Sequence, residues 1–393
     1  MTAPATQVEL TRENAEIISA TMPLVGAHID RITTCFYQRL FDAHPELLRN
    51  LFNRGNQAQG AQQRALAASI ATFAAHLADP DLPHPAELLS RIGHRHASLG
   101  VTADQYPIVQ EHLFAAIVEV LGPDTVTAEV AAAWDQVYWI MADTLIALER
   151  DLYADAGVDT GDVYRRARVL ARTDDPSGAV LITVAGDSET QPGQYVSVGV
   201  TLPDGARQLR QYSLVNAPQG NLTFAVKPSG EVSDWIAARV HVGDLLDVTV
   251  PFGDLPLPPP DAPVALVSAG IGVTPMISLL EHLAAAGTQS PVHVLHADRS
   301  DVTHPLRERQ HELVDQLPAA TLELWYQDSQ SDRPGVHAGL MNLDGVSLSP
   351  DTHVYLCGSD GFVRAVRDQV TRLGVPAARV HCELFSPNDW LLG

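Results

Sequence analysis

The hydrophobic period of this chain changes twice, and each change restricts what the residues around it can build. Up to about residue 154, apolar residues recur every three or four positions, the spacing of amphipathic helices. Helices are expected near 11–20, 24–43, 61–78, 85–99, 104–121 and 127–154, punctuated by Pro45, Gly55, Pro80, Pro83 and Gly122. From Tyr164 the pattern becomes alternation: RARVLAR, AVLITVAG, QYVSVGVTL, RQYSLV, LTFAVKP and DLLDVTVP, separated by turn residues. That is the texture of an antiparallel barrel or sandwich. It ends in the proline-rich segment 255–263, a semi-rigid linker or loop edge. From Pro263 apolar strands (VALVSAG, PVHVLHA, LELWYQD, THVYLCG) alternate with helical stretches. Continuous apolar strands between amphipathic helices predict a doubly wound parallel sheet. The chain is therefore expected to be multidomain: all-α over 1–154, an antiparallel β-barrel over 160–261, and an α/β doubly wound domain over 262–393.

Charge and cysteine content narrow the function. A formal net charge of -22 repels phosphate backbones and anionic lipid, so no nucleic-acid partner is expected. Cys35, Cys357 and Cys382 are far apart with no CxxC pair, which suggests neither a disulfide framework nor a zinc knuckle. The N-terminus lacks a basic start followed by an apolar run, and no segment reaches about 18 consecutive apolar residues. The expectation is a cytoplasmic monomer with no integral membrane segment.

Two glycine turns carry chemistry in the last section. Strand Val264–Ser268 runs into Gly270-Ile271-Gly272-Val273-Thr274-Pro275 at the start of a helix. Glycines there let the backbone approach a phosphate, and the helix N-terminus offers unpaired N–H groups. Pro275 stands where the dinucleotide fingerprint has its third glycine, so the match is incomplete. A second turn, Cys357-Gly358-Ser359, follows another apolar strand. In the β section, Arg210, Gln211, Tyr212 and Ser213 combine a cation, an aromatic ring and a hydroxyl on one short strand. Such a set suits a diphosphate and a flat ring, although an ordinary barrel strand also fits. Gly230-Glu231-Val232-Ser233 resembles an exposed helix start.

In the helical section, RIGHRHASLG holds His94 and His96. Helical spacing puts Leu88, Leu89, Ile92, His96 and Leu99 on an apolar stripe, and Glu87, Arg91, His94 and Ser98 on the other side. His96 then points inward and His94 outward. Gln62, Leu66, Ile70, Phe73 and Leu77 share one face, as do Ile29, Thr33, Tyr37 and Leu40. A buried Gln and a buried Tyr need partners, which backbone or a ligand can supply.

Taken in order, RQYSL, GEVSDW, SAGIGVTPM and YLCGS resemble the ferredoxin-NADP reductase superfamily. The resemblance implies FAD at Tyr195, Arg210, Gln211, Tyr212, Ser213, Lys227, Val232 and Ser233, with Glu383 and Phe385 near the flavin. It implies a nicotinamide nucleotide at Gly270, Gly272, Thr274, Pro275, Cys357 and Gly358. Such a reductase behind a helical domain resembles the flavohaemoglobins over nearly the whole chain. That second resemblance implies haem b with His96 as the iron ligand, Phe52 packing on the haem, and Tyr37, Gln62 and Leu66 on the distal side. It also implies a Tyr106 and Glu149 pair behind His96, which raises the basicity of the ligand and favours oxygen activation. The implied function is a nitric oxide dioxygenase that turns NO and O2 into nitrate with electrons passed from NAD(P)H to FAD to haem. Two other readings stay open: a flavin reductase serving a separate acceptor, and a haem-based oxygen or redox sensor. Asp298, after the second strand of the α/β section, disfavours a 2′-phosphate, whereas Arg299 and Ser300 could accept one. NADH is the expected donor, with NADPH possible.

Overall fold

The computed structural model describes residues 10–58, 60–79, 89–187, 190–216, 220–328 and 333–385. Its contacts divide the chain into two units. Among the described residues, one comprises those up to Val163 with Gly205–Leu209, and the other comprises 164–204 and 210–385.

The first unit is helical: α1 (Arg12–Ala43), α2 (Pro45–Asn50), α3 (Arg54–Ala58), α4 (Ala61–Ala78), α5 (Ser90–Leu99), α6 (Tyr106–Leu121) and α7 (Ala128–Asp155). Two expected helices are one, because α1 runs through Pro23. A proline inside a helix costs roughly 3 kcal/mol. Ile18, Val25 and Ile32, seven residues apart, are all buried along the same helix. Each such side chain returns about 1.5–3 kcal/mol, so burial outweighs the break. The expected start of α5 at 85–88, with Glu87 and Leu88, lies outside the described residues. Ser98, assigned by spacing to the solvent side, is fully buried and donates to the Arg95 carbonyl at 2.8 Å. Helix α5 also packs closely on α7. A Cβ on Gly93 would clash with Cδ2 of Leu148, so only glycine lets the two helices approach this far.

The second unit holds both remaining sheets. Strands β1 (Tyr164–Asp174), β2 (Val180–Val184), β3 (Tyr195–Thr201), β4 (Arg207–Asn216), β5 (Leu222–Val226) and β6 (Leu245–Thr249) close a barrel in the order β1-β2-β5-β4-β3-β6. Its pairs β1–β2 and β1–β6 are antiparallel, and β1 carries an irregularity between Val169 and Ala171. Ile182, Val196, Val198, Phe224 and Val248 fill the interior, as the alternation predicts. Helix α8 (Glu231–Arg239) packs Val232 and Ile236 onto this core.

A six-stranded parallel sheet follows, in the order β10-β9-β8-β7-β11-β12. Its strands are β7 (Val264–Ala269), β8 (Val292–Asp298), β9 (Ala320–Tyr326), β10 (Val336–Ala338), β11 (His353–Gly358) and β12 (Val380–Leu384). Helices α9 (Val273–Ala285), α10 (Arg307–Asp315) and α11 (Asp360–Arg372) connect it. The sheet has two strands more than the four apolar runs suggest, since β10 and β12 are short and half-polar. The first strand, β7, pairs with β8 on one side and β11 on the other. Strand order therefore reverses at β7 and β11, where ligands of such sheets bind beyond the carboxyl ends.

Candidate active site

In the helical unit, three residues from three helices meet. Close packing at Gly93 brings α7 against α5, and Glu149, the residue after Leu148, reaches His96. The Nδ1–H of His96 donates to Glu149 Oε1 at 2.8 Å, and the Tyr106 hydroxyl donates to the same oxygen at 2.5 Å. Tyr106 Oη is also 3.2 Å from His96 Nδ1. Glu149 is 2% exposed, so the carboxylate is desolvated and both bonds are charge-assisted. Burial, and then the Glu149 charge, push the Tyr106 phenol far up, so it remains a donor. Tyr106 opens α6, where the Tyr138 hydroxyl donates to its carbonyl at 2.7 Å. With Nδ1 occupied, Nε2 is the nitrogen that His96 has left for a metal.

Tyr37 is buried on α1 within an aromatic group. Its ring centroid lies 5.6 Å from Phe41 and 6.0 Å from Phe52, edge-on to the latter. Burial raises its pKa, while the side chain of Gln57 on α3 lowers it slightly. Gln63 on α4 donates through Nε2 to Gln57 Oε1 at 3.1 Å. Gln57 Nε2 and Gln63 Oε1 are buried without partners. Gln62 and Leu66 are half-buried on the same helix.

In the second unit, Tyr212 on β4 stacks on Phe224 at 5.5 Å, and its hydroxyl is buried without a partner. The phenol is raised by burial, lowered by Arg210 and raised again by Asp234 on α8, which puts the strand and the helix start side by side. Ser213 is buried, and Gln211 donates to Ser197 Oγ at 3.0 Å. Ser233 Oγ accepts from Ser229 N and donates to the Gly230 carbonyl, both at 3.0 Å, so it shapes the turn that opens α8. Tyr195 at the start of β3 forms an antiparallel backbone bridge with Phe252, just beyond the neighbouring strand β6. Glu383 is nearly buried on β12, and Phe385 beyond it is exposed.

The two glycine turns adjoin. A Cβ on Gly272 would lie 2.5 Å from the Cys357 carbonyl oxygen, and one on Gly358 would lie 3.2 Å from Ala269 Cβ. Gly270 takes a left-handed φ of 54° with nothing within 4 Å of its Cβ position, which leaves the backbone there open. Thr274 donates to the Ile271 carbonyl at 2.9 Å, and Pro275 is buried in the first turn of α9.

Comparison with known proteins agrees with this division. The model of the globin family matches residues 34–145, and that of the oxidoreductase NAD-binding domain matches 266–368. A flavohaemoprotein of Chromobacterium violaceum is 37% identical over 97% of this chain and 100% of its own. The chain belongs to the flavohaemoprotein family. The crystal structure of a Malassezia yamatoensis flavohaemoglobin with bound FAD and haem superposes with a TM-score of 0.89 at 32% identity, covering 96% of this chain and 100% of that one. The FAD/NAD-binding domain of a Vibrio cholerae nitric oxide dioxygenase matches at a TM-score of 0.53 and 31% identity, over 56% of this chain and 99% of that one.

The residues of this flavohaemoprotein fit the two groups its family implies. Among the described residues no three or more His, Cys, Asp or Glu side chains gather as a metal site. An iron here would rest on one protein ligand and a porphyrin, which His96 with its free Nε2 suits. The orphaned Tyr212 hydroxyl and the adjacent α8 start suit a flavin and its diphosphate. Sequence reading assigned no role to Gln57, Gln63 or Gly93. A glycine inside an otherwise good helical stripe was the one available sign of the close packing. Lys227 Nζ donates to the Thr303 carbonyl at 3.5 Å.

Proposed function

We propose that this flavohaemoprotein is an NAD(P)H-dependent nitric oxide dioxygenase, working in the cytoplasm as a monomer to remove nitric oxide as nitrate. The observation that carries the reading is the buried bond from His96 to Glu149, shared with Tyr106. When bound, FAD converts the hydride of NAD(P)H into single electrons, and haem supplies the iron at which dioxygen meets nitric oxide.

The chain's own residues set up that chemistry. His96 would hold the iron through Nε2, and Glu149 keeps the Nδ1 proton engaged, which makes the imidazole a stronger electron donor. That favours oxygen activation over storage. Tyr37 presents a hydroxyl that burial keeps protonated, beside Gln57, and it would supply a hydrogen bond to the oxygen substrate. Gln62 and Leu66 would line the same pocket, and Phe52 would pack on the haem. Arg210 and the α8 start, with Val232 and Ser233, would take the FAD diphosphate. Tyr195, Gln211, Tyr212 and Ser213 would hold the flavin ring, with Glu383 and Phe385 near it. Gly270, Gly272, Thr274 and Pro275, with Cys357 and Gly358, admit the nicotinamide nucleotide at the strand reversal.

The test is His96→Ala. The expected protein binds no haem yet reduces its flavin with NADH at the unaltered rate. Unchanged haem content in the folded variant would remove His96 as the ligand.

A further inference from the structure

Strand β4 begins inside the helical unit. Its first residues, Arg207, Gln208 and Leu209, group with the helices, as do Gly205 and Ala206 before them. They meet the segment that joins α1 to α4, where α2 and α3 lie. That segment carries Phe52, which would pack on the haem, and Gln57, the neighbour of the Tyr37 hydroxyl.

The segment has little of its own to hold it in place. Helix α2 has six residues and α3 has five, and helices that short do not persist alone. Neither buries a side chain fully. Leu47 and Phe52 pack half-buried against the helical core. A helix also leaves its first N–H groups and last carbonyls without partners in its own backbone. At the start of α3, Asn53 Oδ1 accepts from Gly55 N at 3.0 Å and from Asn56 N at 3.2 Å. The Arg54 N–H and the end of α2 are served from β4.

Gln208 serves them. Its side chain is 1% exposed. Oε1 accepts from the Arg54 N–H at 3.3 Å. Nε2 donates to the Arg49 carbonyl at 3.0 Å and lies 3.3 Å from the carbonyls of Leu48 and Phe52. One amide therefore ties the end of α2, the connection and the start of α3. Glutamine suits the place because it donates and accepts from one planar group, whereas a carboxylate only accepts. Two further contacts bring β4 close. The Arg207 N–H donates to Asn50 Oδ1 at 3.4 Å. Gly205 takes a left-handed φ of 79°, and a Cβ there would lie 3.2 Å from Arg49 Nη2.

We propose that Gln208 is a positioning residue of the haem pocket. From the strand that runs on to Arg210 and Ser213, it fixes the α2–α3 segment and so places Phe52 and Gln57. What those two residues face rests on the haem reading; the hold on the segment does not. The experiment compares the full-length wild type with Gln208→Met, which keeps the length of the side chain and removes its hydrogen bonds. Hydrogen exchange by mass spectrometry is followed over 44–58, in protein loaded with both cofactors and in protein stripped of haem. Exchange there is expected to rise about ten- to a hundred-fold, the loss of one or two buried hydrogen bonds, while α6 and α7 exchange as in the wild type. The C–O vibration of carbon monoxide bound to the reduced protein, which reads the polar groups around it, is expected to shift or split. Gln208→Asn keeps the amide one carbon short and should show the same local pattern at smaller size; it carries the test if Gln208→Met does not fold. Unchanged exchange over 44–58 overturns the proposal. So does a rise spread over the whole helical unit, which marks lost stability and not lost position, and so does a loosened segment with an unchanged C–O vibration. Protein that takes up no haem strikes at the haem reading instead, and exchange in the haem-free protein still decides whether Gln208 holds the segment.

Discussion

Replacing Glu149 with glutamine keeps the shape of the side chain and removes its charge. In the native protein one oxygen of this buried carboxylate accepts from His96 Nδ1–H at 2.8 Å and from the Tyr106 hydroxyl at 2.5 Å. Bonds to a charged group are worth roughly 1.5–3 kcal/mol, against about 0.5–1.5 for a neutral pair. Each bond therefore weakens by about 1–2 kcal/mol. Only the His96 bond acts directly on the ligand, and about 1.4 kcal/mol is a ten-fold change in an equilibrium constant. The expected effect on haem retention is roughly ten- to a hundred-fold, the usual range for partners of metal ligands. Two assays read it. Transfer of haem to excess apomyoglobin should accelerate by that factor. The iron–histidine stretch of the reduced protein, in resonance Raman, should fall as the imidazole becomes a poorer donor. If the Glu149→Gln protein melts normally and both the stretch and the transfer rate are unchanged, Glu149 does not tune His96 and the reasoning fails.

Other predictions follow from the same geometry. Tyr37→Phe removes the buried hydroxyl beside Gln57, and loss of one hydrogen bond should speed dioxygen dissociation about ten-fold; an unchanged rate in flash photolysis contradicts the distal assignment. His296 and His304 are held below their ordinary pKa chiefly by burial. They are neutral in the fold, while the unfolded chain takes up protons below about pH 6.5. Stability is therefore full above that pH and is lost as pH falls, on the order of 1 kcal/mol per histidine per pH unit. Urea melts at about pH 7.5, 6.5 and 5.5 should show it, with a shallower slope in His304→Phe; an equal slope refutes the assignment.

Much of this architecture is written locally. Alternation in AVLITVAG and LTFAVKP specifies barrel strands because one face is buried and a one-residue slip would expose it. The glycines of SAGIGVTP and YLCGS mark turns whose backbone must be approached closely, and the fold brings those two turns together. What escaped depends on partners distant in sequence. Pro23 looks like a helix end until the buried Ile18 and Val25 on either side are counted. Ser98 looks solvent-facing on a helical wheel, but the fold buries it and its hydroxyl turns back to the Arg95 carbonyl. Asp298 looks like a ribose reader at the end of its strand, yet Thr303, five residues on, and the Arg299 amide claim it. Gln57 and Gln63 meet only because α3 and α4 fold back on one another. In each case the residue type was visible and its direction was decided by a neighbour that sequence spacing does not reveal.

The most direct test of the central claim is nitric oxide consumption in air by the FAD- and haem-loaded protein, followed with an electrode before and after NADH is added. The account predicts fast, sustained loss that requires NADH and yields nitrate. Loss that stops after one equivalent of haem, or NADH oxidation with no loss of nitric oxide, would contradict it.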